Sequence, residues 1–96
     1  MELKGKTALV TGGGIRLGRA YALALAREGA NLAIHYNRSA TPAEETAQLA
    51  RAEGVEAITV AADFNNPAAA DTLFPQVLNY FEAVDILINN AAIYLR

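Results

Sequence analysis

Four glycines stand within the eight residues TGGGIRLG, Thr11 to Gly18, between the apolar run TALV and the alanine- and leucine-rich run RAYALALARE. A glycine-rich turn that leads from a strand into a helix lets a phosphate approach the main chain. It also aims the helix's free N–H groups and the positive end of its dipole at that phosphate. Gly12, Gly13, Gly14 and Gly18 read in this way form a phosphate-binding turn, and a turn without a ligand is the plain alternative. Arg16, set among the glycines, adds positive charge beside it.

A second group follows at the end of NLAIHYNRS. In a dinucleotide-binding unit this position faces the adenosine ribose, and an acidic residue there would accept a hydrogen bond from a 2′-hydroxyl. The chain instead has His35, Tyr36, Asn37, Arg38 and Ser39, with no acid. Arg38 offers a charge-assisted contact, Ser39 a hydroxyl and Arg16 a second cation, a set that favours a 2′-phosphate. Solvated surface arginines are the bland reading of Arg16 and Arg38. His35 has no nucleophile or orienting carboxylate suggested by the sequence, so local packing or hydrogen bonding suits it better than catalysis. Asp63 follows the third apolar run, where it can accept from an adenine amino group or cap the next helix. Asn89 and Asn90 end the fourth run and bring amides to the same edge, or simply make an Asn-Asn turn.

These groups need elements to carry them. Short apolar runs predict strands at Lys6 to Thr11, at NLAIHY, within EAITVAAD and within VDILIN. A first helix is expected from Arg16 to Glu28, with Gly29 as its C-terminal cap. A second opens on Thr41 as N-cap, Pro42 as first helical residue and Glu44 as partner in a capping box, and closes near Glu53 before Gly54. A third starts at Asn66 and Pro67 and reaches Phe81. Pro75 should kink that helix or split it into two short pieces near Asp71. Strands alternating with helices through short links predict an α/β fold. The expected architecture is a Rossmann-like, doubly wound parallel sheet of about four strands in order 3-2-1-4, with helices on both faces.

The 96 residues suit one domain, and a composition 53% hydrophobic with mean hydropathy +0.16 is rich for so small a chain. It reads as the interior of something larger. A net charge of −2 and pI near 5.2 argue against nucleic-acid and membrane-surface partners. No run is long enough to span a bilayer, and the N-terminal apolar run is too short for a signal peptide. The absence of cysteine excludes disulfides and thiolate metal sites, and a lone His35 builds no zinc site. A cytoplasmic location is the expectation.

TGGGIRLG, the AAD that ends the third strand and the NNAA after the fourth, in this order and spacing, resemble the short-chain dehydrogenase/reductase family over essentially the whole chain. TGGGIRLG together with HYNRS is similar, more narrowly, to the pteridine-reductase branch and its NADPH-dependent neighbours. The resemblance implies NADP(H) in preference to NAD(H). It places Gly12, Gly18 and the backbone of Ile15, Arg16 and Leu17 along the cofactor phosphates. Arg16, His35, Arg38 and Ser39, in the segment that includes Tyr36 and Asn37, would surround the 2′-phosphate. Asp63 would meet the adenine, Asn90 and Ala91 the adenosine ribose, and Asn89 would brace the sheet. Many members have glycine where Arg16 stands, so a different backbone path is expected there. Ala92 replaces the glycine of the commoner NNAG.

The family's chemistry is hydride transfer between a nicotinamide and a carbonyl, an alcohol or a ring double bond. It uses a tyrosine acid, a lysine four residues later and usually a serine. The tyrosines here are Tyr21, Tyr36, Tyr80 and Tyr94 and the lysines Lys4 and Lys6, and no pair has that spacing. Residues 1–96 are therefore expected to be the cofactor-binding portion of a longer enzyme, inactive alone, with the catalytic and substrate portion lying beyond Arg96. A non-catalytic nucleotide-binding module is the alternative. In a 3-2-1-4 sheet the fourth strand is an edge, and its Ile86 to Ile88 carry no charge or proline to blunt pairing. The missing C-terminal half or a second copy should cover it, so the expected partners are a dinucleotide, that half or copy, and a small-molecule substrate of the longer enzyme.

Overall fold

The chain follows the order β1 (Thr7–Thr11), α1 (Arg16–Arg27), β2 (Asn31–Tyr36), α2 (Ala40–Arg51), β3 (Ala57–Ala61), α3 (Ala69–Leu78), β4 (Ile86–Asn89) in a computed structural model that describes residues 2–90. The strands pair in parallel in the expected order β3-β2-β1-β4. Ala8 lies opposite Leu32 and Ile86, and Leu32 in turn opposite Ala57.

Helices cover both faces because the central strands are apolar on both. Ala8 and Val10 of β1 and Leu32 and Ile34 of β2 point to one side, where they meet Ala22 and Ala26 of α1 and Ala43, Ala47 and Ala50 of α2. Alanines four apart on a helix share one face, and their small size lets the helix axis approach the sheet closely. Leu9, Ala33 and Val60 point to the other side, against Ala69, Leu73 and Val77 of α3 and the following Phe81. The first helix ends as expected. Gly29 takes φ +94°, its N–H donates to the Ala26 carbonyl, and the Ala30 N–H donates to Leu25, the Schellman pattern.

Two helix expectations are corrected. The second helix starts at Ala40 after Ser39, and neither a Thr41 cap nor a capping box forms. Pro42 is the third helical residue, where its missing N–H is still among the four that no helical carbonyl can reach, so it does not have to come first. Glu44 turns instead to Arg51, at 2.8 Å. The third helix begins later than Pro67, because residues 63–69 form consecutive turns. Asp63 Oδ1 accepts from the Asn65 N–H, and Asn66 Oδ1 from that of Ala68. Once begun, α3 passes through Pro75 without dividing. The bond that Pro75 cannot donate would have gone to Asp71 in the first helical turn. Both residues are exposed, and the buried row Ala69, Leu73, Val77 lies on the opposite side.

At the other edge, β4 pairs with β1, and Asp85 extends the contact by accepting from the Thr7 N–H through its carboxylate. Leu87, on the side of α3, is 50% exposed. β4 thus stands at an edge of the sheet among the described residues, as expected.

Candidate functional site

The carboxyl ends of β1, β2 and β4 open on a cleft of ≈830 Å³. The turn after β1 forms one wall. Gly12 leaves the strand at φ +63°, a conformation glycine adopts without steric cost. Gly18, six residues on in the first turn of α1, packs directly under it. A Cβ on Gly18 would lie 2.8 Å from both the Gly12 carbonyl carbon and the Gly13 Cα, backbone atoms that cannot rotate aside. Arg16 also has a left-handed φ of +52°. The turn thus takes the path that a glycine would allow, with an arginine bearing the strain, about 1–2 kcal/mol.

Among the described residues no side chain caps the N-terminus of α1. The N-cap is Ile15, which has no side-chain capping bond, and the first turn contains no acid. Its N–H groups and dipole remain available to an anion. Buried side chains hold the turn from behind. Thr46, fully buried on α2, donates its hydroxyl toward the Gly14 carbonyl at 3.2 Å and the Pro42 carbonyl at 3.1 Å, and accepts from Arg19 Nε at 2.8 Å. Asn90 Nδ2 donates to the Gly12 carbonyl at 3.3 Å. Thr11 Oγ1 lies 3.1 Å from Asn89 Oδ1, tying β1 to β4 in the bracing part expected of Asn89.

His35 sits fully buried below the turn, with Nδ1 accepting from the Gly12 N–H at 3.0 Å and Nε2 2.7 Å from the Ala62 carbonyl. Burial holds its pKa below the ordinary 6.5, against opposing hydrogen bonds from Ala62 and Asn37. With both nitrogens engaged, this imidazole is not free to take a proton from a substrate. That agrees with the local role read from the sequence.

The opposite wall is the end of β2 and its link to α2. Tyr36, Asn37, Arg38 and Ser39 line the cleft there, facing Ile15, Arg16 and Leu17 across it. Asn37 Oδ1 accepts from the Phe64 N–H at 3.3 Å. The Arg38 side chain is 78% exposed and lies 3.6 Å from the Asp63 carboxylate, a pair that solvent largely screens. Gly12, His35 and Asn90 also line the cleft. Gly18 stands behind the turn. Asp63 is outside the lining; one carboxylate oxygen caps its own turn at Asn65 and the other faces Arg38. Ala91, together with Ala92, lies outside the described residues. Gly14, read from the sequence as part of the glycine turn, lines the cleft, and sequence reading missed one contributor, Pro42. Pro42 was read only as a helix starter, and nothing in a linear pattern tells which side of a helix's first turn meets a loop 28 residues earlier.

The described residues contain no cluster of histidines and acids suited to a metal and no helix long and apolar enough to cross a membrane. What they provide is a cleft with main-chain N–H groups and Arg16 on one wall and Arg38 and Ser39 on the other. That donor set suits an anionic ligand.

Residues 6–96 match the model of the short chain dehydrogenase family. The chain is 42% identical over 91 residues to the uncharacterized oxidoreductase YhxC of Bacillus subtilis (strain 168), covering 95% of this chain and 32% of that protein. It is 39% identical over 93 residues to the short-chain dehydrogenase/reductase homolog YusS of the same organism, covering 97% of this chain and 85% of YusS. Among solved structures, a Burkholderia cenocepacia protein with bound NADP superposes with TM-score 0.86 at 44% identity, over 92% of this chain and 34% of that one. The chain belongs to the short-chain dehydrogenase/reductase family. It spans about a third of the length of YhxC and most of YusS.

Proposed function

We propose that residues 1–96 are the NADP(H)-binding portion of a short-chain oxidoreductase whose catalytic and substrate-binding residues lie elsewhere in the protein. One observation carries this reading: an open helix N-terminus behind a glycine turn faces the same cleft as Arg16, Arg38 and Ser39. The turn would take the pyrophosphate on its N–H groups. Arg38 and Ser39 would take a 2′-phosphate, with Arg16 adding charge and Arg38 leaving Asp63 for the stronger anion. Asn90 would meet the ribose side, with Ala91 beside it, and Asp63 the adenine. The NADP-bound Burkholderia cenocepacia neighbour supports the choice of cofactor.

When bound, a nicotinamide dinucleotide supplies or accepts hydride at a carbonyl, an alcohol or a ring double bond. This chain's residues bind and orient it. No tyrosine here has a lysine four residues later, so the proton would come from residues outside this segment. Within the family, the combination of TGGGIRLG and HYNRS favours a pteridine-reductase-like member, and a sequence without cysteine suits a reducing cytoplasm. The exposed β4 edge would be covered by the rest of the same chain or by a second copy.

The test is calorimetric titration of the chain with NADPH and NADH. NADPH-selective binding is expected. Equal affinity for both would remove the 2′-phosphate assignment, and binding of neither by a folded sample would remove the cofactor role of this segment alone. A second reading, a nucleotide-binding module without catalysis, draws support from YusS, most of which the chain covers. Binding without turnover by the whole native protein would favour it.

A further inference from the structure

We propose that His35 is the positioning residue of the phosphate turn: its neutral Nε2–H tautomer holds Gly12 in place, and protonation of Nδ1 frees Gly12 and weakens nucleotide binding. This rests on the dinucleotide reading above and concerns how that site keeps its shape.

The two contacts of the ring determine its tautomer. A main-chain N–H can only donate, so the Gly12 N–H, 3.0 Å away, requires an unprotonated Nδ1. A carbonyl can only accept, so the Ala62 oxygen, 2.7 Å away, requires the proton on Nε2. Phe64 stacks on the ring with centroids 4.3 Å apart and planes 11° from parallel, which holds its orientation. The His35 backbone contributes as well, its carbonyl accepting from the Gly13 N–H at 3.1 Å. One residue thus holds two successive amides of the turn, one through its side chain and one through its main chain.

A second proton on Nδ1 would point at the Gly12 N–H across 3.0 Å, and one of the two groups must move. The fully buried ring is held by Ala62 and Phe64, so the displacement falls on Gly12. The charged and titratable side chains that line the same cleft are Arg16 from the turn, Arg38 from the end of β2 and Tyr36. Asp63, which follows Ala62 after the end of β3, already faces Arg38. Burial moves the titration to the acid side of 6.5. Affinity should therefore be level at neutral pH and above and fall as the pH drops through the lowered histidine pKa.

The experiment follows the His35 ring nitrogens and the Gly12 amide of the full chain by NMR from neutral to acid pH, with NADPH titrations at each pH. The expected result is an Nε2–H tautomer at neutral pH, loss of Gly12 amide protection as the ring titrates, and a parallel fall in NADPH affinity. His35→Leu should weaken NADPH about tenfold at neutral pH. His35→Asn keeps an acceptor near the Gly12 N–H but cannot titrate. It should recover part of that loss and abolish the acid-side fall. A Gly12 amide indifferent to ring titration, or an undiminished acid-side fall in folded His35→Asn, would overturn the proposal. If the native chain binds neither NADPH nor NADH at any pH, the dinucleotide reading fails by itself. The Gly12 amide response then decides the part assigned to His35, since its loss of protection supports the brace and its persistence overturns it.

Discussion

The two walls of the cleft are built on opposite principles. The phosphate wall is backbone held by buried contacts: Gly18 leaves room for nothing under Gly12, and His35 and Thr46, both inaccessible to solvent, hold Gly12 and Gly14. The ribose wall is exposed side chain, with Arg38 78% open to solvent and its one ion pair weak. The first wall is therefore continuous with the core. The second can change its charges without disturbing the fold, so on the proposed reading general affinity for a dinucleotide and the choice between dinucleotides would reside in different parts of one site.

The contrast breaks most severely at Gly18. Gly18→Ala places a methyl against the Gly12 and Gly13 backbone and should cost about 3 kcal/mol in denaturant unfolding and abolish NADPH binding together. Native stability in that variant would show that the turn yields more easily than its packing indicates. Thr46→Val keeps the shape but leaves Arg19 Nε and the Gly14 carbonyl without the hydroxyl, and should cost about 2 kcal/mol by the same measurement, with weaker binding as a consequence. Arg38→Ala sharpens the comparison from the other wall. Stability should stay within about 0.5 kcal/mol, while NADPH affinity falls about tenfold and NADH affinity hardly changes. A large change in unfolding would show that the ribose wall supports the fold after all. The smallest effect is expected at Arg16. Arg16→Gly removes the left-handed strain and should raise stability by about 1 kcal/mol, with a slight loss of NADPH affinity from the missing charge.

How much of this was legible in the residues differs between the walls. Glycines between an apolar strand and an alanine-rich helix announce a tight strand-to-helix turn, because that junction needs a positive φ and a close backbone approach. Parallel order and two covered faces follow from short apolar strands alternating with helices. The ends of the helices were less legible. Thr41, Pro42 and Glu44 make a sound capping pattern, yet Ser39 precedes the helix and Glu44 turns to Arg51. A local pattern cannot weigh a contact seven residues away. Pro75 looked disruptive because a sequence does not reveal that its missing bond falls on the exposed side of α3.

The sequence alone, then, determined the alternation of elements, the glycine turn and the cationic HYNRS segment, since each depends on residue type and near-neighbour spacing. Only the tertiary structure decided that His35 would be a brace. Its partners Gly12, Ala62 and Phe64 lie more than 20 residues away along the chain and meet it only when β2 is laid between β1 and β3. The left-handed turn at Arg16 was decided in the same way. Strain of that kind persists only where the packing around it outweighs its cost, and such packing is a property of the assembled fold.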